Sequence, residues 1–428
     1  MHSLPRQFSR KFSERRILLI IALVQFINIL DFMMVMPLGP DFAASLHIPL
    51  QHLGYIGGAY TMASAVTGLI GALFLDRYDR KRVILITLMG LSFATILPAF
   101  ATNMSMLVGA RILAGMFGGP LTALSLSMLA DVIPLERRGA AMGKVMGAFS
   151  LASVLGVPFG LELSRLFAWQ IPFITLGLAA FATYIMAWFF LPPDTNELSK
   201  DLLKFRMKRL RVTLQNPLAW SAWGFTACAM IAAFMIIPNF TSHVQFNMNF
   251  PRDKLGIMYL FSGTVSFFSM RLVGKIVDKT GATLMSILST VLFVISILFG
   301  FVFYKHGLTP IFFSMFFTVA MTSRNIAGQT LSSEVPLPVE RASFMSLQMS
   351  ITHASCAIGA FISSMILTEN ADTKQILHTG TVGWISIVLS LLIPVLFWNT
   401  ERLLKRRAEK GIVIQVSEAN LLPIAPAD

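Results

Sequence analysis

Charge is scarce in this chain. Only 13% of its 428 residues are Asp, Glu, Lys or Arg, against roughly 25% in soluble domains, which excludes a surface that is mostly wet. Acids are the scarcer sign, 21 against 34 bases, for a formal net charge of +13. Cysteine is nearly absent. Cys228 and Cys356 both lie in apolar runs, which excludes a disulfide framework or cysteine metal site and leaves two small buried residues. Catalytic signatures are missing too. GAAMGKV (139–145) has neither the spacing of a phosphate-binding loop nor a Ser or Thr after its lysine. His-Glu-x-x-His, Cys-x-x-Cys and Gly-x-Ser-x-Gly do not occur. The expectation is a protein that is not an enzyme, holds no cofactor or metal, and draws on an ion gradient in place of ATP.

What the chain has in excess is apolar length. Hydrophobic residues make up 55%, with 36 Phe and 25 Met. A helix needs about twenty apolar residues to cross the hydrocarbon of a bilayer. Twelve such runs are present: 17–37, 54–75, 83–101, 105–130, 140–162, 168–191, 217–238, 255–274, 282–303, 309–330, 342–368 and 379–398. The first is too long for a signal-peptide core and no small-residue cleavage site follows it. Open sheet cannot span lipid because its edge groups go unpaired. The fold expected is an all-α integral membrane protein with twelve transmembrane helices.

Placing the charges removes any need for nucleic acid. With the N-terminus cytoplasmic, the seven segments on that side carry 25 Lys and Arg and the six on the other carry 5. This bias predicts both termini inside. The richest segments are the tail 1–16 and the long connection 192–216. That connection divides the chain into halves, 17–191 and 217–398, followed by a cytoplasmic tail, 399–428. The halves echo each other: LADVIPLERRGAAMG (129–143) has a counterpart in SSEVPLPVERASFMS (332–346), and GALFLDRYDRK (71–81) a weaker one in GKIVDKTGA (274–282). Two echoes at an offset of about 200 residues predict two pseudo-symmetric six-helix units, an arrangement common in secondary transporters.

With these motifs in view, the chain resembles the major facilitator superfamily. ALFLDRYDRK (72–81) resembles its motif A, with Asp76, Arg77, Arg80 and Lys81 in register and Ala72 and Asp79 where glycines are usual. GKIVDKTG (274–281) resembles the second copy through Gly274, Asp278 and Gly281, with no Arg after the last glycine. LVGARILAG (107–115) resembles motif B through Arg111 and Gly115. SVLGVPFG (153–160) resembles a degenerate motif C, carried by Gly147, Gly156, Pro158 and Gly160. The form is similar to the twelve-span drug:proton antiporter branch, especially its sugar- and arabinose-efflux-like members.

The resemblance implies a central cavity between the halves that opens alternately to either side, a small-molecule substrate, protons, surrounding lipid and the inner membrane of a bacterium; a monomer is expected. Efflux coupled to protons is the function it implies. Uptake of a sugar or metabolite by a facilitator or symporter is the alternative, and a non-transporting sensor of the same fold is a third. The resemblance also implies a gating latch in which Asp76 meets the start of the eleventh run near Ala342 and Ser343, and Arg80 reaches Asp131, with Asp278 as the second-half counterpart. A carboxylate is favoured at a helix N-terminus; a solvated basic turn that only sets topology is the plainer reading. Arg82, Arg137 and Arg138 read as topology signals.

Asp31 is the residue that asks most of the bilayer. An aspartate at mid-helix costs roughly 2.5–3.5 kcal/mol on insertion scales. Gln25 and Asn28 precede it at steps of three, so the three share a sector of about 120° that faces a cavity or another helix. Asp31 lies ~21 Å from the cytoplasmic start of its run and Arg111 ~9 Å below the outer edge of the fourth, both from 1.5 Å per residue. In a ~30 Å core the two come to similar depth, so a pair is expected, direct or through water. Asp31 and Arg111 are therefore candidates for proton coupling, with the arginine tuning the proton affinity of the acid. A structural tie between the two helices is the alternative. Gln25, Asn28, Asp31, Arg111 and His353 are the candidate cavity residues. The intrinsic titration range of His353 suits proton work, and a neutral, hydrogen-bonded histidine is its other reading. Arg324 and Arg271 are expected to snorkel to the cytoplasmic face. Gly147, Gly156, Pro158 and Gly160 are expected to let the fifth helix bend and pack closely.

Overall fold

A computed structural model describes residues 14–74, 79–133, 135–192, 211–306, 309–337 and 341–409. Asp76, Arg77 and the side chains of Asp131 and Ala342 lie outside the described residues. Each of the twelve apolar runs is helical. In chain order these are α1 (Glu14–Met34), α2 (Leu53–Phe74), α3 (Arg80–Ile96), α4 (Met104–Val132), α5 (Leu135–Leu151, carried on through Ala152–Gly156 into Val157–Leu166) and α6 (Ile171–Phe190). The second set is α7 (Pro217–Phe234, continued by Ile237–Ser242), α8 (Leu255–Thr280), α9 (Ala282–Ile297), α10 (Pro310–Glu334), α11 (Arg341–Ile366) and α12 (Thr379–Glu409). Eleven are long and apolar enough to cross a membrane. The exception is α10, whose 25 residues suffice in length but include Arg324, Asn325 and Gln329.

The packing repeats. In the first half α1 packs on α4, α5 and α6, α2 on α4, and α3 on α4 and α6. The second half copies this: α7 packs on α10, α11 and α12, α8 on α10, and α9 on α10 and α12. The halves meet through matching pairs, α2 with α11 and α5 with α8. The protein is thus a bundle of twelve helices in two pseudo-symmetric six-helix halves. Below, "near end" is the end where α1 begins and α12 finishes; "far end" is the opposite one.

Small residues set the closest approaches. A Cβ on Gly263 of α8 would stand 2.9 Å from the Ser153 carbonyl and from Val154 Cα of α5. Only glycine admits that contact. In α5 the residues Ala152–Gly156 form a single π-turn ahead of Pro158, a usual way for a helix to absorb a proline kink. Between α11 and α12 the chain makes a two-residue antiparallel ladder, Thr368 opposite Leu377 and Glu369 opposite Ile376.

Candidate functional site

The polar stripe of α1 meets α4 rung by rung. Gln25 Nε2 donates to the Thr122 carbonyl (3.1 Å) and to Ser125 Oγ (2.7 Å). One turn on, Asn28 Nδ2 donates to the Gly118 carbonyl (3.1 Å) and to Thr122 Oγ1 (2.8 Å). At the third rung Arg111 Nη1 donates to both carboxylate oxygens of Asp31, at 3.1 and 3.2 Å, and Nη2 donates to the Asp31 carbonyl at 3.3 Å. Steps of three along α1 are answered in reverse along antiparallel α4, as helical periodicity requires.

Two more helices close the network. Thr95 at the end of α3 donates to Asp31 Oδ1 at 2.9 Å. Tyr60 of α2 lies flat beneath the guanidinium, 4.5 Å from ring centre to Arg111 Cζ, and its hydroxyl donates to Asn28 Oδ1 at 3.4 Å. Asp31 is 0% and Arg111 1% exposed. The two charges cancel inside one half of the bundle, which makes burial of each tolerable. Gly118 permits the approach, since a Cβ there would lie 2.7 Å from Asn28 Oδ1.

Gln25, Asn28, Asp31 and Arg111 are therefore brought together. His353 is not among them. It lies on α11, seven residues from Ala360 and half-buried, with no hydrogen bond or ion pair among the described residues. Near the end of α4, Arg80 Nη1 donates to the Ser127 carbonyl at 3.4 Å, one turn short of Asp131. Lys81 follows it in α3, and its N–H is capped by Asp79 Oδ1 at 2.9 Å. Asp278 is exposed at the near end of α8. Gly156 and Gly160 face α1: a Cβ would meet Leu30 at 2.7 Å and Met34 Sδ at 2.8 Å, respectively, whereas Gly147 has open space before it.

Arg324 does not snorkel, contrary to the expectation from its run. It is 2% exposed, because α10 continues to Glu334 and sets the arginine ~15 Å from that helix end, too deep to reach water. Its guanidinium instead donates to the Ala229 carbonyl of α7 (3.2 Å) and to Ser390 Oγ of α12 (3.4 Å), and rests 4.6 Å from the Phe293 ring centre. Arg271 is exposed and lies over Phe267.

The far end carries contacts that sequence reading missed. Arg252 Nε, just before α8, donates to Asp41 Oδ1 at 2.7 Å; its Nη2 pairs with Asp41 Oδ2, which also accepts from Ser164 Oγ of α5 at 2.7 Å. Glu369 of the ladder accepts the Leu50 N–H at 2.6 Å, and its own N–H donates to Gln51 Oε1 at 2.6 Å. Between these clamps Phe32 of α1 stacks on Tyr60 of α2 and on Phe234 of α7, at 5.5 and 5.9 Å. All three contacts tie one half to the other, so the far end is closed. The available signal was slight: Asp41 and Arg252 are isolated charges on a face that has few.

A cavity of about 730 Å³ opens nearer the other end, between Leu19, Leu23 and Phe26 of α1, Lys144 and Leu151 of α5, and Phe267 of α8. The residues of the α1–α4 seam turn away from it, toward each other.

Residues 21–360 match the family model described as Major Facilitator Superfamily. The chain is 23% identical over 283 residues to "Multidrug resistance protein 2" of Bacillus subtilis (strain 168), covering 64% of this chain and 70% of that one. Its fold is similar to a bacterial homologue of the human lysosomal transporter Spinster in an inward-facing, occupied conformation (TM-score 0.71, 13% identity, 92% of this chain and 98% of that one). It is also similar to a D-xylose–proton symporter (TM-score 0.70, 16% identity, 90% and 97%). The family model spans most of the chain and the fold agrees with it: the chain belongs to the Major Facilitator Superfamily and is a membrane transporter.

Proposed function

We propose that the protein exports a small molecule in exchange for protons, by alternating access, as a monomer in the inner membrane of a bacterium. The near end is cytoplasmic in this reading, which the 25-to-5 distribution of Lys and Arg supports. The units are then 17–191 and 217–398, joined by 192–216, with tails 1–16 and 399–428 in the cytoplasm. A relative named for multidrug resistance supports the outward direction.

The observation that carries the coupling is the Asp31–Arg111 pair, at 3.1 Å and out of solvent. In the far-end-closed state the carboxylate is held by the guanidinium and by Thr95. Opening the far end moves α1, which carries Asp31 and Phe32 side by side, so release of the Phe32 stack frees the acid to take a proton from outside. Return to the closed state restores the pair and expels the proton inward. At the near end Asp76, Arg77, Arg80, Lys81, Asp131 and Asp278 form the opposing latch, a reading that the Arg80–Ser127 contact, one turn short of Asp131, supports. Gly147, Gly156, Pro158 and Gly160 give α5 its bend, and His353 faces the substrate from α11.

The test is proton movement in proteoliposomes on addition of a panel of lipophilic ions and sugars, comparing wild type with Asp31→Asn. Ligand-driven proton flux lost in the variant supports coupling at Asp31. Coupling retained in a folded variant rejects it. A second reading follows from where the seam's contacts lie: Gln25, Asn28 and Asp31 all bond within one half, with Gln25 Oε1 and Arg111 Nε left unbonded, which favours a purely structural tie of α1 to α4. In that case proton coupling passes to His353, an intramembrane histidine without a partner among the described residues.

A further inference from the structure

The membrane interior of this bundle has a charge sign. Its central carboxylate, Asp31, is cancelled by Arg111. The other charged residues of the apolar runs are Lys144, Arg271 and Arg324, all cationic, and Glu162 at the far edge of the fifth, which pairs with Arg165. A lipophilic cation finds no free negative partner there. We infer that the fissure between α1, α5 and α8 binds a single-chain amphiphilic anion, drawn from the leaflet at the near end, with Lys144 as its headgroup contact. This rests on the transporter reading above and names the substrate class.

Four observations carry the assignment. The cavity, about 730 Å³, falls within the range of small-molecule sites. Its walls are apolar, from Leu19, Leu23 and Phe26 on one side to Leu155, Phe267 and Phe268 on the other. Lys144 is the single charged residue that lines it, and it is exposed, with no hydrogen bond or ion pair among the described residues. The two polar hydroxyls of the lining are spoken for, Ser150 by Met270 Sδ at 3.9 Å and Thr264 by the Leu260 carbonyl at 2.7 Å.

Length and access agree with a chain-like ligand. Lys144 and Leu155 lie on one helix at ~16 Å from 1.5 Å per residue, the reach of an extended hydrocarbon of about a dozen carbons together with its headgroup, since zigzag C–C bonds of ~1.5 Å advance ~1.25 Å each. Leu19 (54%), Leu155 (55%) and Phe268 (64%) are open to the surroundings of the bundle. At this depth the surroundings are acyl chains, so the mouth admits a ligand sideways from lipid. Gly147, one turn from Lys144, lines the cavity, and a Cβ on it would meet nothing within 4 Å. That leaves room for the first carbons below a headgroup.

The test is equilibrium binding to the purified full-length protein in nanodiscs of zwitterionic lipid, with no ion gradient. The probes are radiolabelled dodecanoate and dodecyltrimethylammonium, equal in chain length and opposite in charge. Expected is saturable dodecanoate binding about tenfold tighter than that of the cation, the worth of one charge-assisted contact. Lys144→Arg keeps this preference, Lys144→Glu inverts it, and Gly147→Trp blocks both probes without changing the melting temperature. Equal binding of the two probes, or a preference that survives Lys144→Glu, overturns the assignment. Full displacement of dodecanoate by phosphatidylglycerol also overturns it, in favour of a resident two-chain lipid. Because binding is read without transport, loss of proton coupling strikes only the exporter reading, and loss of charge preference strikes only this one.

Discussion

Asp31 Oδ1 accepts two hydrogen bonds at once, from Thr95 of α3 and from Arg111 of α4, at 2.9 and 3.1 Å. The carboxylate thereby pins three helices at one depth. Removing either charge strands the other in a fully buried site. Asp31→Asn and Arg111→Gln are each expected to cost about 3–5 kcal/mol. The double variant is expected to recover much of that, because two neutral amides can bond to each other and to Thr95. Thermal unfolding in detergent, followed by labelling of the buried Cys356 thiol, measures all four proteins. Additive losses in the double variant would deny that the pair acts as a unit.

The Asp41–Arg252 contact joins the first half to the second at the far end, and both side chains are about one-fifth exposed. Neutralising Asp41 is expected to weaken closure by about 1–2 kcal/mol, as for a hydrogen bond to a charged group. Spin labels at His47→Cys and Lys254→Cys, with Cys228 and Cys356 replaced by Ala, report the far-end separation. Asp41→Asn is expected to raise the long-distance population severalfold. The swap Asp41→Arg with Arg252→Asp is expected to return it toward wild type. An unchanged distance distribution in Asp41→Asn means that other contacts hold this end.

Much of the bundle is legible before any coordinates because the bilayer leaves few choices. Twenty apolar residues must be helical, and a fixed rise per residue converts sequence position into depth. That arithmetic brought Asp31 and Arg111 level, and the spacing of Gln25, Asn28 and Asp31 gave one face. It did not say what Gln25 and Asn28 meet on α4. Those partners include the carbonyls of Thr122 and Gly118, and Gly118 admits the close approach of Asn28; neither a carbonyl nor a glycine names its partner in sequence. Arg324 was misread for a related reason: the apolar run stops at 330 while the helix runs to Glu334, so depth counted from the run was too shallow. Its main acceptor is the Ala229 carbonyl, a group that every residue carries and no side-chain pattern reveals. The Asp41–Arg252 clamp spans 211 positions of sequence between two short helical segments, Gly39–Leu46 and Arg252–Lys254, that lie outside the apolar runs.

The α5–α8 seam has its own test within a single helix. Gly263 faces the Ser153 backbone at a distance no side chain fits, whereas a Cβ on Gly274, three turns along, meets nothing within 4 Å. Gly263→Leu is expected to force the helices apart and cost about 1–3 kcal/mol, as overpacking does. Gly274→Leu is expected to be neutral. If both variants melt with the wild type, α5 and α8 do not approach as closely in the membrane.

Arg324 is the buried charge that lacks a carboxylate among the described residues. Its guanidinium bridges α7 and α12 through Ala229 and Ser390, and the Phe293 ring covers one face. Two contributions oppose each other here: hydrogen bonds and the ring attraction stabilise the packing, and desolvation of the charge works against it. Arg324→Lys keeps the charge, but a compact ammonium cannot hold both acceptors in the planar fork that arginine offers; a loss of about 2 kcal/mol is expected. Arg324→Met removes the desolvation cost and fills similar volume, so stability is expected within about 1 kcal/mol of wild type. Melting temperatures of the two variants in one detergent give the order. Met below Lys would mean that the positive charge itself is favourable in this core, which requires an anion within reach of it in the folded protein.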